Sequence, residues 1–295
     1  MRDSSPPPSS RRLGQATRAR PTRAKSDKVA GTEPDTRARK SPSRARAGAN
    51  KSRTYVLSPE EHLARAMAAK TPRARGMWAR RGLASRARLD RTTQAMLLRQ
   101  LYLAHFEQGH FRQALEACEQ SLALGVLEDV VHQDAARAAA ALGDLDAASR
   151  HLRTAARVGP ANRRAFHWWT LGGLYFLADR HDEAIAALER AARWATREKP
   201  LYQGHLAAAR CASGVRVTSL GTLINRLASV PAGQGYGRFV LGLLSFYAGR
   251  HAAARRYLEA FVARTIEAPS PMSVALSGEL DRAKRTLRDI ARSEV

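Results

Sequence analysis

Residues Trp168–Ala191 read WWTLGGLYFLADRHDEAIAALERA, and this stretch decides the fold. Leu171 and Tyr175 recur at helical spacing and give a first helix one apolar stripe. Gly172, between them, lets a second helix come close. Past Asp179 and Arg180, Ala184, Leu188 and Ala191 set the same spacing on that second helix. Ala184 is the small residue where the two helices cross. A single hairpin of this kind cannot bury both its stripes, so it has to stack on neighbours.

The neighbours are legible. Gly109 with Ala114, Gly143 with Ala148, Asp179 with Ala184, Gly214 with Ser219, Gly249 with Ala254 and Gly278 with Ala283 repeat one arrangement. Each pairs a turn residue with a small residue five positions later, and the small residues follow one another at 34, 36, 35, 35 and 29. Pro160 and Pro231 fall at repeat ends. Any one copy is weak, since the pair is common in helical hairpins. A sustained period is the signature of stacked repeats, and its rival is an unrelated α-bundle with accidental spacing. The period predicts five copies and a truncated sixth over about residues 92–293, the last with a shortened first helix.

Trp168, Leu171, Gly172 and Tyr175 match the W-x2-L-G-x2-Y opening of the tetratricopeptide repeat, and Ala184 continues it, with Leu188 in place of the aromatic. The stretch therefore resembles that family. The resemblance implies an all-α fold, an α-solenoid of stacked helix-turn-helix repeats whose first helices line a concave face. By that resemblance the groove-facing residues include Arg99, Phe106, Arg137, Phe166, Trp169, Phe176, Tyr236, Phe239 and Phe246. This lining is mostly aromatic, with Arg99 and Arg137 as the charged exceptions. It suits an amphipathic helix or an extended apolar peptide of an unidentified partner protein. Plain packing is the competing reading, because aromatic stripes at helical spacing usually face a core. The Lys and Asn set with which one class of these repeats clamps a terminal carboxylate is missing, so that activity is not carried over.

Charge divides the chain. It carries 50 Lys and Arg against 26 Asp and Glu, a net +24 over 295 residues. Residues 1–53 hold +11 of this, residues 54–90 +5 and residues 91–295 +8. After Met1, Leu13 and Val29 are the only aliphatic side chains larger than alanine in 1–53, proline aside. Such a segment cannot offset its ordering entropy and is expected to be a disordered basic tail. It reads as an arginine-rich by-product of coding composition, as a solvated linker, or as an anchor for nucleic acid or an anionic surface. Residues 54–90 read as a basic helical capping pair or linker. Ser58-Pro59-Glu60-Glu61 predicts a capping box, and Thr71-Pro72 a second helix start. Residues 91–295 are the expected repeat domain.

Enzyme readings find little. The nine histidines are scattered and none sits in HExxH. AGQGYG at 232–237 lacks the Lys-Ser/Thr of a phosphate loop and reads as a flexible turn. Asp182-Glu183 sits at a helix start, where it complements the positive helix end. Cys118 and Cys211 have no CxxC spacing, so no zinc site is expected. No run of residues is apolar and long enough to span a membrane. The expectation is a cytoplasmic, non-enzymatic scaffold without cofactor or metal.

Overall fold

Ser58 opens the first helix as its spacing predicts. Its hydroxyl accepts from the Glu61 amide, and the Glu61 carboxylate accepts from the Ser58 amide. Thr71 caps the second helix through the Ala74 amide. The computed structural model describes residues 57–267 and 270–293. The basic tail expected over 1–53 lies outside them.

Among the described residues the fold is all-α. Helices α1 (Pro59–Ala68) and α2 (Pro72–Leu83) are followed by α3 (Arg91–Glu107) with α4 (Phe111–Leu122). Then come α5 (Glu128–Ala141) with α6 (Leu145–Val158), α7 (Ala161–Leu177) with α8 (His181–Trp194), and α9 (Lys199–Ala212) with α10 (Leu220–Ala228). A 3-10 turn at Pro231–Gly233 leads into α11 (Gly237–Tyr247) with α12 (His251–Glu267), and α13 (Ser270–Ala275) precedes α14 (Ser277–Ser293). Each helix packs on the one before and the one after, as a solenoid requires.

Five of the hairpins turn in one way. Gly109, Gly143, Asp179, Gly214 and Gly249 all take a left-handed conformation. Just past each, the amides of His110, Asp144, Arg180, Val215 and Arg250 donate to carbonyls five residues back, at 2.8–3.0 Å. This bond closes the orphan carbonyls at a helix end. Glycine reaches that conformation freely. Asp179 reaches it without that freedom, at φ 55°, and its carboxylate is held by Arg282 at 2.6 Å.

The crossing alanines Ala114, Ala148, Ala184, Ala254 and Ala283 are fully buried. A Cβ on Gly172 would strike the Leu188 side chain. Gly242, two repeats on, stands in the same relation to Leu258. Two expected copies differ. Ser219 is the exposed residue before α10 rather than a crossing residue, because the chain spends Val215–Ser219 in an extra loop. Gly278 is not a turn; it lies in the first turn of α14, where its Cα approaches Leu177. The AGQGYG stretch is also tighter than a flexible turn, since a Cβ at Gly233 or Gly237 would meet the backbone of Leu227 or Ala232.

At the start of the array, α1 and α2 pack on α3. Gly82 fits between His62 and Leu97, and Arg75 is paired with Glu107. At the other end the order of neighbours is broken. The short α13 reaches back to α3, and α14 touches α7. Val274 joins the apolar cluster of Tyr102, Phe106 and Ala135.

Candidate functional site: a cavity closed by the C-terminal segment

The return of residues 274–279 forms one wall of a half-open cavity of about 680 Å3. Its walls come from α5 (Ala136, Arg137, Ala140), α7 (Phe166, Trp169, Gly173, Leu174, Leu177), Phe106, Tyr236 and the returning segment itself. Ring centroids of Phe166 and Trp169 stand 5.9 Å apart, and those of Trp169 and Tyr236 4.9 Å apart, edge to face. The Trp169 indole N–H has no hydrogen-bond partner among the described residues.

Two charges line this apolar space. Arg137 donates to Asp134 at 3.4 Å. Glu279, from the first turn of α14, accepts from the Tyr236 hydroxyl at 3.3 Å. Among the described residues no basic nitrogen comes within ion-pair distance of Glu279. Burial pushes its carboxyl up to about 7, against the smaller pull of its own backbone amide, of the Tyr236 hydroxyl and of Arg137. Burial also raises the Tyr236 hydroxyl well above its ordinary value, with the Glu279 charge adding to the effect.

Of the nine residues read as groove-facing, the fold brings Phe106, Arg137, Phe166, Trp169 and Tyr236 to this cavity. Phe176 and Phe239 are not available to a partner. Both are fully buried, and both lie against the ring of His205, at 5.2 and 6.4 Å. Phe246 stacks on His251 away from the cavity. Arg99 is tied to Asp134 at 2.8 Å.

The sequence reading missed a polar seam between consecutive first helices. Asp134 on α5 is buried between Arg99 of α3 and Arg137. Asp129 is buried under Arg163 and His167 of α7, and Gln133 meets His167 at 2.8 Å. Partners one repeat apart at equivalent positions carry opposite polarity, which is a signal the repeat period could have exposed. Asp182 and Glu183 do begin α8, and Arg180 holds the Glu183 carboxyl below its usual range. Cys118 is buried in the core, where burial pushes its thiol up. His132 and His151 share one short contact between their Nδ1 atoms, 2.8 Å. Among the described residues no group of three His, Cys, Asp or Glu side chains could hold a metal ion, and no helix is long and apolar enough to cross a membrane.

Stacked hairpins with a shared turn and an aromatic groove define a helical-repeat array. Residues 168–197 match the family model of the tetratricopeptide repeat, which places a repeat of that family in this chain. The matched span covers most of α7 and all of α8. No curated protein matches the chain.

Proposed function

We propose that this protein is a non-enzymatic scaffold whose groove takes up an apolar segment of a partner protein, and that residues 274–279 occupy that groove when no partner is present. The observation that supports the reading is the groove's present occupant. A stretch of the chain itself lies against α3 and α7, with Val274 among Tyr102 and Phe106. A surface that accepts its own chain in this way has the shape and polarity for a foreign one. Phe166, Trp169 and Tyr236 are the anchors, since aromatic side chains in desolvated pockets dominate binding energy.

The test compares capture of proteins from nuclease-treated host lysate by the full-length chain, by Val274→Asp, which frees the returning segment, and by Trp169→Ala. We expect one protein to be enriched by Val274→Asp, lost with Trp169→Ala, and competed away by a synthetic peptide of residues 270–279. Equal capture by all three forms would refute the groove as the site.

A second reading has its own support. Arg73, Arg80, Arg81, Arg86 and Arg88 are exposed on and just after α2, and none has a carboxylate partner among the described residues. Arg65 and Arg81 lie over the Trp78 ring, at 4.8 and 5.1 Å. This basic face favours an acidic surface or nucleic acid, with binding that falls steeply as salt rises.

A further inference from the structure

Space remains beside residues 274–279 after they have docked: a cleft, half open to solvent, that a small molecule can enter without displacing that segment. At about 680 Å3 it falls within the range of small-molecule sites, roughly 300–1,000 Å3. Its lining has the composition of such sites too, apolar and aromatic with a few placed polar groups.

The charges in its wall are unequal. Arg137 has a counter-ion, because Asp134 lies beside it. Among the described residues Glu279 has none; its carboxylate accepts from its own backbone amide and, at the long distance of 3.3 Å, from the neutral Tyr236 hydroxyl. Glu279 is half-buried, and a carboxylate partly withdrawn from water without a counter-charge is costly; the cost is relieved by a proton or by a cation. Next to it stand Tyr236 and, edge to face with Tyr236, Trp169. The faces of such rings attract cations.

We propose that this cavity binds a small organic ammonium ion with an apolar body, its charge held by the Glu279 carboxylate and its body by the rings of Phe166, Trp169 and Tyr236. A ligand there touches both α7 and the first turn of α14, so it fastens the returning segment to the array. The groups that face Glu279 are Tyr236 and, across the cavity, Arg137. Arg282, one turn further along α14, is turned to Asp179 instead. The ammonium ion binds the ionised carboxylate, so its uptake displaces the proton that Glu279 holds near neutrality. This inference does not rest on a partner protein entering the groove.

The experiment is calorimetric titration of the full-length protein with benzyltrimethylammonium, whose charge is fixed, at pH 8 and pH 6. Phenylacetate and benzyl alcohol serve as anionic and neutral counterparts of similar size. The ammonium ion should bind at pH 8 at least tenfold more tightly than either counterpart. With a carboxyl titrating near 7, its affinity should fall by about tenfold at pH 6. Glu279→Gln, which keeps the Tyr236 hydrogen bond, should bring its affinity down to that of benzyl alcohol. Arg137→Gln should leave it unchanged or tighter. Binding of phenylacetate as tight as that of the cation overturns the proposal, as does a cation affinity equal at the two pH values, or no cation binding. All three outcomes are read on the unmutated protein, so they hold even if a variant fails to fold.

Discussion

Replacing His205 with leucine should make the protein more stable and remove a large part of its acid sensitivity. His205 lies on α9 with no exposed surface, ringed by Trp169, Phe176, Tyr236 and Phe239. Neither ring nitrogen has a hydrogen-bond partner among the described residues. An unsatisfied buried polar group costs roughly 1–3 kcal/mol, and a hydrophobic side chain of similar volume introduces a misfit under about 1.5 kcal/mol. The net gain at pH 7 is therefore at most about 3 kcal/mol, reduced by the misfit. Burial also lowers the His205 pKa from 6.5 to about 4. The folded ring stays neutral where the unfolded one takes up a proton. The unfolded state thus binds more protons below pH 6.5, and stability declines as the pH falls from there to about 4. At about 1.4 kcal/mol per unit of pKa, that decline approaches 3 kcal/mol. Leucine has no proton to bind, so the advantage of His205→Leu should widen by that amount between pH 7 and pH 4. Urea unfolding followed by far-ultraviolet circular dichroism across this range measures it. A variant less stable than the parent at pH 7, or a difference that does not change with pH, would refute the reasoning.

Three further outcomes follow from the packing. Gly172→Ala drives a methyl into Leu188 and should destabilise the protein by about 1–3 kcal/mol, read as a lower thermal midpoint. Asp179→Ala loses the bond to Arg282 and keeps a left-handed residue, a conformation that costs about 1–2 kcal/mol without glycine. Asp179→Gly should recover most of that loss, and limited proteolysis near residues 268–276 should be faster in the alanine form. Arg99→Ala leaves buried Asp134 with only its long contact to Arg137. It should cost about 2 kcal/mol, less than the 3–5 kcal/mol for breaking a fully buried pair because Arg99 is itself partly exposed; urea unfolding decides.

Local chemistry was legible in the sequence because it is carried by neighbours in the chain. Ser58, Thr71 and the glycines at 109, 143, 214 and 249 each do what their residue type dictates within four or five positions. Asp179 was legible only through the period, since nothing about aspartate alone marks a left-handed turn. The interval failed at Ser219 and Gly278 because counting residues cannot tell a helix position from a loop of the same length. Helical phase failed at Phe176 and Phe239, where a rotation of a fraction of a turn separates the groove from the core. Glu279 was not singled out at all. A lone acid in an amphipathic helix carries no mark of burial until residues 91–107 and 270–275 are known to touch, and no repeat period encodes that contact.

The same contact gives the molecule a history. At roughly 5–20 residues per second, synthesis from Leu177 to Gly278 takes on the order of 5 to 20 seconds. During that interval the helices through α7 can fold and stack, while the residues that close the cavity do not yet exist. Every newly made chain therefore passes once through a state in which Phe166, Trp169 and Arg137 face open water with nothing to displace. A molecule that meets the chain at that moment enters without competition, and is walled in on one more side when α14 arrives.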